Sequence, residues 1–144
     1  RGHVLRGEVH DDNCYVLGGI AGHAGLFGNT RDVLEMGSVW LNSKKPLQKD
    51  LVKKYWSLSH VPQSTRVLGW DSVSTENSAT GLYFSPSSRG HMGYTGTSLW
   101  IDPEKKIIVT LLTNRVHPTR RNELIKKFRP EFHNSLMREL GFAK

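Results

Sequence analysis

The architecture turns on one stretch: Gly90-His91-Met92-Gly93-Tyr94-Thr95-Gly96-Thr97-Ser98-Leu99-Trp100-Ile101-Asp102-Pro103-Glu104-Lys105-Lys106-Ile107-Ile108-Val109-Thr110-Leu111-Leu112-Thr113. Residues 91–101 are glycine, threonine, aromatic and β-branched side chains, the composition of a strand. Residues 107–113 form a near-continuous apolar run, the mark of a buried strand. Between them, Asp102-Pro103-Glu104-Lys105-Lys106 reads as a turn, with proline where its fixed φ helps. Two strands joined by five residues make an antiparallel hairpin.

Outward from the hairpin, the period changes to that of a helix. From Asn122 the tail carries Leu124, Ile125, Phe128, Phe132, Leu136, Met137 and Leu140 as an apolar stripe. Pro130 sits inside that stripe, and either kinks one helix or opens a second. Towards the N-terminus, Asn29 with Asp32 has the form of a capping box. Val33, Met36, Gly37, Trp40 and Leu41 follow on one helical face. A second short helix is predicted from Pro46, with Leu51, Val52, Tyr55 and Trp56 sharing a face. Residues 66–70 read as a short strand and residues 75–88 as a polar loop. The opening, residues 1–28, is glycine-rich but lacks the spacing of a phosphate-binding loop. Helix, helix, strand, hairpin, helix in that order predicts an α+β fold, and no repeat or linker divides it, so residues 1–144 are expected to form one domain.

Composition narrows the function classes. Hydrophobic residues are 37% and charged residues 23% of the 144, the balance of a globular chain. No apolar run approaches the roughly 20 residues of a membrane span. The lone Cys14 excludes an internal disulfide, and no cysteine–histidine spacing suggests zinc. The net charge of +7 comes from 20 Lys and Arg against 13 Asp and Glu. Its basic residues are dispersed through two amphipathic stretches without interleaved aromatics, so nucleic acid is not an expected partner.

The chemistry is notable first for what is missing. There is no G-x-S-x-G, and no serine is followed three residues later by lysine, so no recognisable nucleophile is present. The remaining candidate is the glycine-rich start of the hairpin, where open backbone N–H groups lie beside His91, a group able to supply a proton or a charge. His10 with Asp11 and Asp12 reads as a turn rather than a metal site, and His117 before Pro118 as a turn after the second strand.

Residues 90–103 followed by Leu111-Leu112-Thr113-Asn114-Arg115 closely resemble the third motif and flanking strands of the β-lactamase-related serine hydrolases, which include class C β-lactamases, serine DD-peptidases and related esterases. Residues 7–13 and 17–27, and Arg129-Pro130-Glu131-Phe132-His133, resemble other segments of that family, in family order. The resemblance implies the C-terminal portion of a β-lactamase/transpeptidase-like fold, an antiparallel sheet with flanking helices. It places the Ser-x-x-Lys and Tyr-x-Asn motifs upstream of this segment; Tyr55-Trp56-Ser57 and Tyr83-Phe84-Ser85 fall at the wrong points in the order to replace them. His91-Met92-Gly93 then corresponds to the family's Lys/His-Thr/Ser-Gly triplet. His91 is the expected catalytic or positioning side chain, Gly93 lets substrate approach, and the Tyr94 N–H is one half of an oxyanion hole. An alternative register, Tyr94-Thr95-Gly96, restores the threonine but puts a tyrosine where a cation belongs. Met92 departs from the family hydroxyl and cannot donate its hydrogen bond to a substrate carboxylate, which favours less anionic esters or amides. His23 is expected at the edge of the cleft.

These implications make the chain part of an acyl-transferring hydrolase of esters, amides or β-lactams, inactive alone, with no cofactor or metal. Its expected partners are a small or peptide-like substrate and the upstream part of the same protein, with a homodimer or strand exchange if the segment folds by itself. A non-catalytic binding module using the same cleft is the alternative.

Overall fold

A computed structural model describes residues 1–57 and 64–143. The hairpin forms where its residues put it. Its two strands, β4 (Ser98–Asp102) and β5 (Ile107–Leu111), pair antiparallel with Ser98 opposite Leu111 and Asp102 opposite Ile107. Asp102 belongs to the strand, so the connection shortens from the expected five residues to 103–106. The buried Asp102 carboxylate accepts from the Ser85, Glu104 and Lys105 N–H groups at 2.8, 3.0 and 3.0 Å. Lys105 Nζ stands 3.6 Å from the same group. The period of two is visible in the packing, since Leu99 and Ile101 enter one core cluster and Trp100 another.

Residues 91–101 are not one strand. β3 (Arg89–Met92) runs antiparallel to β4, with Gly90 opposite Trp100, His91 opposite Leu99 and Met92 opposite Ser98, and residues 93–97 turn between them. The reversal is local chemistry that a strand composition conceals. Gly96 adopts φ +104°, open to glycine and strained for other residues, and the Gly93 N–H donates to Thr97 O at 2.8 Å. Gly90 is also required, because a β-carbon there would collide with the Trp100 indole lying across β3. The expected strand at 66–70 is likewise two, β1 (Arg66–Val67) and β2 (Trp70–Ser72), around a turn at Leu68 and Gly69. The result is a five-stranded antiparallel meander, β1-β2-β3-β4-β5. β5 is therefore an edge strand in this order, with only Val109 fully buried, rather than the enclosed strand its apolar run suggests.

Helices cover both faces. α1 (Asp12–Val16), where a turn is expected, is capped by the Asp11 carboxylate accepting from Cys14 N at 2.7 Å. α2 (Thr30–Leu41) starts on the expected capping box of Asn29 and Asp32. Val33, Trp40 and Leu41 from α2, with Trp56 from α3 (Lys49–Trp56), pack on Val67, Trp70, Leu99 and Ile101. Met36 of the predicted face is exposed instead, and α3 begins at Lys49, beyond Pro46.

The opposite face is covered by α4 (Ile125–Glu139), whose Met137, Phe132 and Leu136 meet Phe84, Trp100 and Val109. Pro130 lies within this single helix and neither divides it nor opens a second; the Lys126 carbonyl forgoes its helical donor. The buried line of α4 is Arg129, His133 and Met137, while Leu124, Phe128 and Leu140 of the apolar stripe are exposed.

Candidate active site

The site is built on β3 and the turn that follows it. Alternation along β3 separates its two side chains. His91 is exposed on the face that Leu99 shares with α2, while Met92 turns to the α4 face, where Arg129 Nη1 lies 3.3 Å from its sulfur. The structure thus brings His91, Gly93 and the Tyr94 backbone together at one end of the sheet. It sets the Met92 side chain apart from His91.

The turn has a defined polarity. The Gly93 carbonyl accepts from the Gly96 N–H at 3.0 Å, inside the loop. A trans peptide plane points its carbonyl and N–H in opposite directions, so the Tyr94 N–H, in the same plane, faces outward. It has no intramolecular acceptor among the described residues. The outer carbonyls are also held: the Arg115 guanidinium donates through Nε to Tyr94 O at 2.8 Å, and the Arg115 backbone N–H donates to Thr95 O at 2.8 Å. From the other side, Arg129 Nη2 donates to Gly96 O at 2.9 Å. Tyr94 is 60% exposed, and its ring lies 4.5 Å from the Arg115 guanidinium and stacks with His10 at 6.2 Å.

Beside this turn an open cleft of about 930 Å³ is lined by Glu8, His10, Asp12, Thr95, His117 and Arg120, among others. His91 is not part of its wall. Arg120 Nη2 stands 3.1 Å from Asp12 Oδ2, and that hydrogen bond holds the Asp12 carboxyl below its usual range. Glu8 is lowered in the same way by His3. His10 and His117 therefore reach the cleft wall, although each reads as a turn residue in the sequence. His23 pairs with Asp11 at 2.9 Å, tying the glycine-rich segment to the start of α1. Its partner is the capping carboxylate, which the Cys14 N–H and His23 together lower.

Two residues absent from the sequence-based site are Arg115 and Arg129. Arg129 is 5% exposed. The signal for it is the i, i+4, i+8 spacing of Arg129, His133 and Met137, which an apolar stripe omits because two of the three are polar. His133 is fully buried, with Nδ1 2.9 Å from Ala79 O, and desolvation pushes its pKa down to about 4. In the Tyr83-Phe84-Ser85 segment, Phe84 and Ser85 are buried, and the Tyr55-Trp56-Ser57 segment ends α3. Among the described residues no cluster of three His, Cys, Asp or Glu is placed to hold a metal, and no helix is long and apolar enough to cross a membrane.

The family model described as Beta-lactamase matches residues 2–131. Among curated proteins, one named "Putative D-alanyl-D-alanine carboxypeptidase" from Escherichia coli (strain K12) is 35% identical over 121 residues, which is 79% of this chain and 28% of that protein. A protein of the same name from Salmonella gallinarum is 36% identical over 125 residues, 81% of this chain and 29% of its own. The chain therefore spans less than a third of the length of these relatives. A solved beta-lactamase from Mycobacterium bovis superposes with a TM-score of 0.68 at 16% identity, covering 88% of this chain and 53% of that one. That likeness carries the α+β fold.

Proposed function

The chain belongs to the beta-lactamase family, and from that premise we propose that it is the C-terminal part of a serine hydrolase working through an acyl-enzyme. The nucleophilic serine and its lysine lie in the preceding part of the protein, and this segment, a single domain unit, contributes one wall of the active site. It is inactive by itself. The observation that carries the reading is the outward, unpaired Tyr94 N–H three residues from exposed His91 at the open end of β3.

Each group then has a task. An attacking serine oxygen turns a substrate carbonyl into a tetrahedral oxyanion, and an N–H held about 2.7–3.1 Å away stabilises it by roughly 2.7–4 kcal/mol. The Tyr94 N–H is that donor. His91 lines the same edge and positions substrate or assists proton transfer. Gly93 keeps the approach to the strand open. Met92 supplies no hydroxyl, and its sulfur faces Arg129, which favours esters and amides without a carboxylate at that position. The relatives' name adds a peptide amide ending in D-alanine to the substrates worth testing.

A fluorophosphonate probe followed by intact-mass spectrometry tests the reading on the longer natural protein, with this chain run beside it. One adduct on the longer protein and none on this chain is the expected result. No adduct on either overturns it in favour of a non-catalytic binding module, and an adduct on this chain alone places the nucleophile within these residues.

A further inference from the structure

Among the described residues, Arg129 is a buried cation without a carboxylate partner. Its guanidinium reaches Met92 Sδ at 3.3 Å, Gly96 O at 2.9 Å and Thr97 O at 3.4 Å. Arg115 donates to Tyr94 O, Arg120 O and Asn122 O at 2.8, 3.0 and 3.0 Å. Every one of these acceptors is neutral. Burying a charge with only neutral partners is unfavourable, so an apolar residue on α4 would serve packing better. What a guanidinium supplies and an apolar group or a lysine does not is a rigid fork of donors. Here the fork spans the turn from the strand residue before it, Met92, to its last two residues, Gly96 and Thr97.

That span has a geometric consequence. With Gly96 O and Thr97 O drawn to the Arg129 guanidinium, Tyr94 O to the Arg115 guanidinium and Thr95 O to the Arg115 backbone N–H, four successive carbonyls of the turn are committed, three of them to cations. The Gly96 N–H is then aimed at Gly93 O, and the Gly93–Tyr94 peptide plane must present its N–H outward. We propose that Arg129 is a positioning residue of the active site: it fixes the turn at residues 93–97 from behind, with Arg115 as its counterpart, and so keeps the Tyr94 N–H free to receive an oxyanion. The inference rests on the function proposed above for the use made of that N–H, but the geometry is measurable without any catalysis.

The experiment is amide hydrogen exchange by NMR on the ¹⁵N-labelled chain, comparing the wild type with Arg129→Ala, each with and without millimolar methylguanidinium or methylammonium. In Arg129→Ala the Gly93 and Gly96 amides are expected to exchange about tenfold faster, the loss of roughly one hydrogen bond's worth of protection. The Tyr94 amide resonance shifts with them, while Trp100 and Ile101 of β4 keep their protection. Methylguanidinium restores both signals and methylammonium does not. Equal loss of protection in β4, or an unchanged turn, overturns the proposal. If Arg129→Ala does not fold, the through-hydrogen-bond scalar coupling between Arg129 Nη2 and the Gly96 carbonyl in the wild type decides, and its absence overturns the proposal. None of these readouts involves an acyl-enzyme, so a failed fluorophosphonate labelling and a failed positioning role are separate results.

Discussion

The two turns at the ends of β4 are tied down by charges of opposite sign. At residues 103–106 the buried Asp102 carboxylate gathers backbone N–H groups from Glu104, Lys105 and the distant Ser85. At residues 93–97 two arginines gather carbonyls, and an N–H is left over. An anion consumes the donors of a turn, whereas a cation consumes its acceptors and frees its donors. A turn meant only to join two strands is well served by the first arrangement. A turn that must offer an N–H to a ligand needs the second. The same β-hairpin chemistry therefore separates a structural end of the sheet from a candidate catalytic end.

The largest expected effect breaks the carboxylate-held turn. Asp102→Ala leaves three N–H groups without their acceptor, two of them in the loop itself, and costs about 4 kcal/mol in urea unfolding. A cost below about 1 kcal/mol would mean that Lys105 and water hold this end without the carboxylate.

Acid separates the two ends without a mutation. His133 lies one helical turn beyond Arg129 on α4, fully buried, with its pKa lowered to about 4. The unfolded chain binds this proton near pH 6.5 and the folded one only near 4, so stability is complete above 6.5 and falls as pH drops towards 4. The loss over that window is about 3 kcal/mol from this group. Asp102 is lowered despite the opposing effect of its burial, because N–H donors and Lys105 favour its charged form. Its contribution is present above the ordinary aspartate pKa and is lost only below it. Between pH 6.5 and 4 the α4 side therefore loosens first. His133→Phe should flatten that part of the stability profile, and an unchanged slope would assign the acid sensitivity elsewhere.

The smallest effect sharpens the contrast. Arg115→Ala removes a cation stacked on Tyr94 and its bonds to three carbonyls, at a half-buried position. About 1 kcal/mol of stability is at stake, a shift of roughly 2–4 °C in Tm. A shift above 8 °C would make Arg115 a pillar of the fold rather than a clamp on one turn.

Much of the fold is legible in the sequence. The β4–β5 hairpin, the Asn29–Asp32 cap and the α+β class all follow from residues close in sequence, as does the strand identity of both hairpin arms. His91, Gly93 and Tyr94 are legible as one site because they are neighbours in the chain. The division of residues 91–101 into two strands is not legible there, because Gly93 and Gly96 carry the same composition in a strand as in a turn. The orientation of Met92 depends on where β3 ends and therefore went with it. Arg115 stands in the sequence only as a residue flanking the second strand, and its bonds to Tyr94 and Thr95 cross about 20 positions of chain.

By itself the sequence determined the cap of α2, the course of α4, the pairing of the central hairpin, and which family's motif the open end of β3 resembles. Those are consequences of local periodicity, capping and turn residues, whose interactions lie within a few positions. Only the tertiary structure decided that a guanidinium on α4 lies beneath the turn, that His133 is buried beside it, and that the Tyr94 N–H is the one left outward. The bonds that place Arg129 and His133 join residues 32 to 54 positions apart. A charged side chain gives no sign of its burial until the sheet is folded against its helix.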